Sequence, residues 1–237
     1  MLRIIYLIFR ILRRIPFTIF QIKRRKKHPE KYTEEENILW LRDFLRYITK
    51  RARVDLTING IENLPKEAFV ITPNHQGMFD IPVLFDAIDR PFKIVFKKEL
   101  SNVIFLRDVV SFCNFPAIDR RNLRQSMKVI HQMTSEIKKG MSYAIFAEGT
   151  RSRKKNELLD FKGGSFKSAM DAKAPIVPSA MIDCYKVLDQ NSIRKVKCQF
   201  HILKPIYYDE YKNMTSTELA SVVHDRIAQC IRQNTNK

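Results

Sequence analysis

The chain has 237 residues, enough for one sizeable α/β core and too few for two comfortable domains. Its 43 basic residues outnumber its 25 acidic residues, and the formal net charge of +18 favours an anionic membrane or a polyanion as partner. The four cysteines lie far apart without a Cys-x-x-Cys pair, which argues against a zinc ribbon or a disulfide framework and fits a reducing compartment.

The amino-terminal segment is both apolar and basic. At helical spacing, Arg3, Arg10 and Arg14 fall on one narrow stripe, with Arg13 slightly to one side, and the opposite face is broad and apolar. No charge-free run approaches the ~20 apolar residues that cross a bilayer. We therefore expect a helix that lies in the headgroup region, with its arginines reaching toward lipid phosphates.

Two features extend this interfacial prediction. Pro16 should break the segment into two short helices, and the basic run Lys23–Lys27 should act as a polybasic clamp. A signal peptide fits less well, because arginines intrude into the apolar region and no small-residue cleavage site follows. A nucleic-acid-binding arm would not normally carry so much Ile and Phe. An ordinary core or oligomer helix pair stays open as an alternative.

Helical and strand patterns alternate along the rest of the chain. A helix is predicted from Thr33 to Lys50, where Thr33-x-x-Glu36 reads as a capping box. Asn59-Gly60 predicts a turn after the first strand. The predicted strands cover 54–58, 68–72, 93–97, 115–118, 142–147, 176–182 and 196–203, and further helices cover 122–139, 164–172 and 215–233.

This alternation predicts an α/β fold: a single mixed, largely parallel β-sheet flanked by helices and preceded by a membrane-interfacial helix pair. We divide the chain into an amino-terminal membrane-associating segment, residues 1–50, and a catalytic domain, residues 51–237. No internal repeat and no long low-complexity segment is present.

The segment Asn74–Asp80 carries the clearest chemical signal. It places His75 five residues before Asp80, directly after an apolar segment. If a helix begins near Phe79, the carboxylate can turn back to the imidazole, fix its tautomer and leave the other nitrogen free to accept a proton. No Ser or Cys lies in this segment, so the proton would come from a substrate alcohol. The alternative is a helix-capping Asp beside an unrelated loop His.

Three further blocks follow in order. The four blocks are Asn74–Asp80, Ala117–Arg120, Phe146–Arg151 and Ile176–Pro178. Their order and content resemble the glycerolipid acyltransferase family, whose best-known members are the 1-acylglycerol-3-phosphate acyltransferases. The chain departs from the family pattern at Ala147, where proline is usual, and at Gly77, where serine is frequent. The segment Ser101–Asn114 also lacks the family's Pro-Phe-Gly.

The resemblance implies roles for individual residues. His75 would be the general base and Asp80 would orient it. Arg151, Arg120 and a lysine, for which we favour Lys97 over Lys98, would hold the acceptor's phosphate. The full set assigned to substrate binding is Glu148, Gly149, Thr150, Arg151, Arg120 and Lys97.

Some roles stay open at this stage. Glu148 could hold Arg151, hold a glycerol hydroxyl, or cap a turn. Gly77 and Gly149 permit close backbone approach to a developing oxyanion. The run Phe161–Ser165 could be an anion-binding helix start or a tight strand-to-helix turn. The sequence shows no metal cluster and no nucleotide-binding fingerprint, and the expected reaction needs no cofactor.

The sequence thus predicts an enzyme of phospholipid biosynthesis. We expect transfer of a fatty acyl chain from acyl-CoA or an acyl carrier protein to 1-acyl-sn-glycerol 3-phosphate, at the cytoplasmic face of an anionic membrane, as a peripheral or monotopic protein that binds no nucleic acid. Glycerol 3-phosphate or another lysophospholipid is the alternative acceptor. A non-catalytic basic adaptor is the alternative from another class.

Overall fold

A six-stranded sheet forms the centre of the molecule, which is described from a computed structural model covering residues 2–99, 104–119 and 121–235. Its strands are β1 (Val54–Asn59), β2 (Val70–Pro73), β3 (Phe92–Ile94), β6 (Ser142–Ala144), β7 (Ile176–Ile182) and β8 (Val196–Ile202). They lie in the order β1-β8-β7-β2-β6-β3. Only the β7–β8 pair is antiparallel, so the predicted mixed, largely parallel sheet is confirmed.

Helices cover both faces of this sheet. The α-helices in the described residues are α1 (Leu2–Ile11), α2 (Ile15–Lys27), α3 (Glu34–Arg51), α4 (Asp80–Ala87), α5 (Ile104–Phe112), α6 (Leu123–Lys138), α7 (Lys167–Ala172), α8 (Tyr208–Tyr211) and α9 (Ser216–Thr235). Along β2, Ile71 packs into a cluster with residues of α3 and α4, and Val70 packs into one with α6, α7 and α9. Successive residues point to opposite faces, which explains why β2 is buried throughout.

The run predicted as one strand over 93–97 is divided between two sheets. Val95 donates its amide to Ala144 at 3.2 Å, whereas Phe96 donates to Pro116 at 2.9 Å, so the chain changes partners here. Strand β4 (Phe96–Lys97) therefore pairs with β5 (Ala117–Ile118) in a separate two-stranded sheet. Helix α5 was not among the predicted helices.

Local signals placed several boundaries correctly. The Thr33 hydroxyl accepts the Glu36 amide at 3.2 Å, and the Glu36 carboxylate accepts the Thr33 amide at 2.7 Å, so the predicted capping box is present. Gly60 turns the chain with φ +77°, and a Cβ there would lie 2.0 Å from the Ile202 carbonyl oxygen. Helix α3 contributes Ile38 and Leu41 to the core; the domain boundary at residue 50 stays a prediction.

The amino-terminal helices have the predicted break. A 3-10 turn, Leu12–Arg14, separates α1 from α2, and Pro16 lies in the first turn of α2, where proline is tolerated. In the described ranges, no helix is both long enough and apolar enough to cross a membrane. Eight large apolar side chains of this pair are 42–75% exposed: Leu2, Ile5, Ile8, Phe9, Leu12, Phe17, Ile19 and Phe20.

The prediction that Arg3 faces lipid together with Arg10 is wrong. Arg3 is 1% exposed. Its guanidinium donates to the carbonyls of Ala52 and Ser192, both at 2.9 Å, and to that of Arg194. Ala52 follows the last residue of α3, where helix carbonyls lack intrahelical donors. A buried guanidinium therefore attaches α1 to the end of α3 and to the segment before β8.

The basic run Lys23–Lys27 is not a uniform surface clamp either. Arg25 is buried, donates to the Asn37 side chain at 2.8 Å, and lies over the ring of Tyr32 with 4.3 Å between the guanidinium carbon and the ring centroid. Lys26 forms an ion pair with Asp108 at 2.8 Å. Part of this run thus joins α2 to the body of the protein.

Candidate active site

Two loops meet at one edge of the sheet. The first, residues 74–79, joins β2 to α4, and the second follows β6 and contains Phe146–Arg151. Since β2 and β6 are neighbouring parallel strands, their carboxyl ends share an edge, where α/β proteins gather their reactive groups. The amide of Ser152 donates to the His75 carbonyl at 2.9 Å, which joins the loops directly.

His75 and Asp80 form the hydrogen-bonded pair that their spacing predicted. Nδ1 of His75 lies 2.8 Å from Oδ2 of Asp80. The same oxygen accepts the amides of Gln76 at 2.6 Å and Gly77 at 2.9 Å, so the carboxylate also organises the loop. Asp80 is fully buried, and the His75 side chain is 21% exposed. Because a carboxylate can only accept, Nδ1 carries the proton and Nε2 can act as a base.

Neighbouring side chains restrict the imidazole. Its ring stacks on Phe146, with 4.1 Å between centroids and 25° between planes. The side chain of Asn74 exchanges two hydrogen bonds with the backbone of Met181, at 2.6 and 3.0 Å, which fixes the loop to β7. Together these contacts leave the imidazole little freedom to turn away from Asp80.

Gly77 lies close to the segment that follows β7. A Cβ at this residue would lie 3.0 Å from Oδ2 of Asp189 and 3.3 Å from the Cα of Tyr185. A larger residue here would require these neighbours to move by a few tenths of an ångström. The amide of Gly77 donates to Asp80, and that of Gly149 donates to Phe146 at 3.0 Å. Both amides thus support the loops in this conformation.

Glu148 joins the two loops through hydrogen bonds to both oxygens of its carboxylate. One carboxylate oxygen accepts the His75 amide at 2.6 Å and the other accepts the Leu159 amide at 3.0 Å. Burial raises the pKa of Glu148, and the two amide hydrogen bonds partly oppose that shift. Of the roles considered from sequence, these contacts are closest to the capping of a turn. The assignment of Glu148 to substrate binding stays a prediction.

Arg151 lies beside His75's neighbour Gln76 at the wall of a cavity. The cavity has a volume of about 330 Å³ and is lined by Gln76, Arg151, Arg153, Lys155, Tyr185 and Asp189. Three cations and one carboxylate give it a net positive lining, which suits a phosphate. Gly149 turns the chain into this loop with φ +77°, and Thr150 is exposed.

Lys97, the other predicted phosphate ligand among the described residues, does not line this cavity. Lys97 lies on β4, is half exposed and forms an ion pair with Glu99 at 3.4 Å. Lys98 pairs with Asp119 at 3.1 Å. Arg120 lies outside the described residues. The roles of Lys97 and Arg120 therefore stay predictions.

The run Phe161–Ser165 leads into helix α7, and its role, as an anion-binding helix start or a tight strand-to-helix turn, stays a prediction. A 3-10 helix covers Gly163–Phe166, and a Cβ at Gly163 would meet Ser216 atoms at 3.1 Å.

The described residues contain no group of three or more His, Cys, Asp and Glu side chains that could hold a metal ion.

Comparison with known proteins defines the family. A family model described as Acyltransferase matches residues 55–182, more than half of the chain, and spans the two loops. The chain belongs to the acyltransferase family.

Individual relatives agree with this assignment. A probable 1-acyl-sn-glycerol-3-phosphate acyltransferase of Mycoplasma pneumoniae is 27% identical over 91% of this chain and 86% of its own length. A 1-acyl-sn-glycerol-3-phosphate acyltransferase of Escherichia coli is 29% identical over 66% of this chain and 65% of its own. The crystal structure of a 1-acyl-sn-glycerophosphate acyltransferase from Thermotoga maritima has the same fold, with a TM-score of 0.75 at 20% identity, covering 100% of this chain and 96% of that one.

Sequence reasoning missed part of the lining of this cavity. Gln76, Arg153 and Lys155 were not singled out, although the first lies inside the His75 block and the others lie two and four positions after Arg151. Tyr185 and Asp189 carried no motif that could have found them, because they reach the cavity only through the turn after β7.

Proposed function

We propose that this acyltransferase moves a fatty acyl chain from an acyl-CoA or acyl carrier protein thioester to the free hydroxyl of 1-acyl-sn-glycerol 3-phosphate, forming phosphatidate. One observation carries the proposal: the hydrogen-bonded His75–Asp80 pair lies directly beside a cation-lined cavity containing Arg151. A base and an anion-binding cavity at adjoining positions suit an acceptor that has both a hydroxyl and a phosphate. The names of the relatives support the same reaction.

The geometry of the His75–Asp80 pair supports the following steps. Nε2 of His75 removes the hydroxyl proton as the hydroxyl oxygen attacks the thioester carbonyl carbon. The carbon–sulfur bond of the tetrahedral intermediate then breaks, and the departing thiolate takes the proton from the imidazolium. The Asp80 carboxylate holds the imidazole in place and stabilises its charged form. This sequence needs no metal and no cofactor besides the thioester co-substrate.

Arg151 would hold the acceptor's phosphate through its planar set of donors. We assign Arg120 and Lys97 to the same phosphate on the family resemblance, with Gly149 and Thr150 shaping the loop before Arg151. Glu148 would serve binding indirectly, because its two oxygens join the His75 backbone to the loop that carries Arg151.

We further propose that the α1–α2 pair rests on the cytoplasmic face of an anionic membrane as a peripheral or monotopic anchor. Its exposed apolar side chains, such as Phe9 and Phe17, form the surface that would enter the lipid. Exposed cations of the same segment, including Arg13 in the 3-10 turn and Lys27 on α2, would contact lipid phosphates.

Thiol release tests the reaction. Purified protein on anionic liposomes would receive a long-chain acyl-CoA with and without 1-acylglycerol 3-phosphate, beside a His75→Ala variant. Release that requires both the acceptor and His75 is the expected result. If the CoA thioester gives none, the acyl carrier protein thioester is the second donor; failure with both donors overturns the proposal. Faster release with glycerol 3-phosphate would instead assign the alternative acceptor.

Liposome pelleting tests the anchor. A Phe9→Ser/Phe17→Ser variant should lose most of its binding to anionic vesicles. Leu123→Ser is the matched control, because Leu123 is 77% exposed but lies on α6. Equal binding by both variants would show that α1–α2 is not the lipid-binding surface.

A further inference from the structure

The loop after Arg151 holds a conformation that its own residues do not favour. Arg153 and Lys155 have φ angles of +54° and +62°, in the left-handed region that side chains with a Cβ rarely occupy. The segment from Arg151 to Lys155, which we term the basic loop, also contains four cations among five residues. Repulsion among these cations and the strain at Arg153 and Lys155 both favour other conformations of the loop. Contacts from elsewhere in the protein must therefore hold it.

Gln76 supplies such contacts from within the His75 block. Its side-chain nitrogen donates to the Lys155 carbonyl at 3.1 Å and to the Asn156 side-chain oxygen at 2.7 Å, and its oxygen accepts the Cys184 amide at 2.9 Å. A carbonyl can only accept and an amide N–H can only donate, so these partners fix the orientation of the Gln76 amide. Gln76 is 1% exposed, which keeps water from competing for these bonds.

Asn156 extends this connection to the far wall of the cavity. Its oxygen accepts the Asp183 amide at 2.9 Å, and its nitrogen donates to the Asp183 carboxylate at 3.0 Å. The residue after Asp183 is Cys184, whose amide contacts Gln76, and Tyr185 follows at the cavity wall. Gln76 and Asn156 therefore tie the basic loop to the turn that closes the opposite side.

Both residues of the dipeptide His75–Gln76 contact the basic loop. The His75 carbonyl accepts the Ser152 amide near the start of the loop, and Gln76 holds its end at Lys155. The dipeptide that carries the catalytic imidazole thus also sets the position of the cations around the cavity. One backbone contact of His75 and one side-chain contact of Gln76 therefore hold the basic loop against the dipeptide that carries the base.

We infer that Gln76 is a positioning residue, which holds the basic loop so that Arg153 and Lys155 join Arg151 in binding the anionic group of the acceptor. The inference rests on the proposed function, because it assigns these side chains to the acceptor's phosphate. With three cations and the single carboxylate of Asp189, the cavity lining has the charge to balance a phosphate monoester dianion.

Steady-state kinetics of Gln76→Met separates positioning from chemistry. Methionine keeps the length of the side chain and removes its hydrogen bonds. We expect the KM for 1-acylglycerol 3-phosphate to rise about tenfold with kcat nearly unchanged, since lost ground-state and transition-state binding affects KM alone. The KM for the acyl thioester should not change. A fall in kcat with a constant acceptor KM would overturn the inference.

A double variant tests whether Gln76 acts through Lys155. Lys155→Ala alone should raise the acceptor KM, and Gln76→Met/Lys155→Ala should raise it by less than the product of the single effects. Lys154→Ala is the matched control, because Lys154 is exposed and does not line the cavity. Effects that multiply fully, or an equal effect of Lys154→Ala, would contradict the inference.

Two further measurements keep the result decisive. If Gln76→Met fails to fold, Asn156→Ala removes the Gln76–Asn156 bond from its other side and leaves the bond to the Lys155 carbonyl, so a smaller rise in acceptor KM is expected. Binding of inorganic phosphate, measured by calorimetry, does not depend on turnover. Suppose that the protein is inactive on this acceptor, and that Gln76→Met and Lys155→Ala bind phosphate more weakly while Lys154→Ala does not. This result would retain the assignment of the cations to an anionic group and reject only the proposed function. Unchanged phosphate binding in all three would reject the cation assignment.

Discussion

The active-site loops and the α1–α2 pair each depend on one fully buried charge, and the two charges are held in opposite ways. Asp80 is an anion whose Oδ2 accepts two backbone amides and the His75 imidazole. Arg3 is a cation whose guanidinium donates to three backbone carbonyls. In both cases the hydrogen bonds offset the loss of hydration that burial of a charge brings.

Asp80 and Arg3 have different effects on the structure because their hydrogen-bond partners lie at different distances along the sequence. Asp80 binds residues three to five positions away, so it shapes a single loop and orients one reactive side chain. Arg3 binds Ala52 and residues some 190 positions away, so it joins separate parts of the chain. The Asp80 contacts are local and bear on the proposed chemistry, whereas the Arg3 contacts are long-range and bear on the packing of α1. Loss of Asp80 should therefore be detected as lost activity, and loss of Arg3 as lost stability.

Asp80→Asn should have the largest effect on activity. Asparagine can keep an oxygen toward the loop amides, but it carries no charge to stabilise the imidazolium. We expect turnover to fall by about 10²–10⁴-fold, the range that general acid–base assistance contributes, with the thermal midpoint little changed. Thiol release and a thermal melt check both parts. Activity within a few-fold of wild type would show that Asp80 serves only the loop.

Glu148→Gln should reduce both stability and activity. Glutamine replaces one acceptor with an NH₂ group that faces a backbone N–H, so one buried amide loses its partner. We expect the unfolding free energy at neutral pH to fall by about 1–3 kcal/mol. Acyl transfer should fall as well, because the His75 backbone loses a fixed contact. Urea unfolding and thiol release measure the two effects.

The stability difference between wild type and Glu148→Gln should change with pH in a definite direction. Burial raises the pKa of Glu148, so the folded protein retains this proton to higher pH than the unfolded chain does. The stability contributed by that proton is present below the ordinary value of 4.5 and is lost as pH rises through the folded-state pKa. The stability difference, wild type minus Glu148→Gln, should therefore decrease as pH rises above 4.5. An increase over that range would contradict the raised pKa.

The sequence predicted the loops better than the helix pair for a physical reason. The spacing of His75 and Asp80 confines their side chains to one short loop, so few geometries are available and the hydrogen bond follows. The capping box at Thr33 and Glu36 is local in the same sense. The continuous apolar run from Ala68 to Ile71 also predicted the strand around Val70 correctly, because a buried parallel strand needs apolar side chains on both faces.

Helical periodicity cannot identify a distant partner. It placed Arg3 correctly on a stripe with Arg10, but whether a stripe residue faces lipid or protein depends on what packs there. The carbonyls of Ser192 and Arg194 that accept from Arg3 lie some 190 positions further along the chain. Tyr185 and Asp189 belong to the same distant segment after β7, which explains why no motif near His75 or Arg151 marked them.

Arg3→Met and Arg10→Met sharpen the contrast within one helix. Arg3→Met leaves buried carbonyls without donors, and we expect the unfolding free energy to fall by about 1–3 kcal/mol. Arg10 is exposed and donates to the hydroxyl of Tyr6 at 2.9 Å, so its loss should change stability by no more than about 0.5 kcal/mol. Urea unfolding of both variants measures this. A loss of no more than about 0.5 kcal/mol for Arg3→Met as well would show that its buried hydrogen bonds contribute little stability.

Arg25→Lys tests the same idea with the smallest change, since the charge is kept. The Arg25 guanidinium lies over Tyr32 and also 5.0 Å from the Trp40 ring centroid, a stacked arrangement that a lysine ammonium cannot reproduce. We expect a loss of about 1 kcal/mol in unfolding free energy, with no change for the exposed neighbour variant Lys27→Arg. Lipid binding should be equal in both variants because neither alters the net charge. If Arg25→Lys weakened vesicle binding while stability stayed constant, Arg25 would contact lipid, and the basic run would be the surface clamp that its sequence predicted.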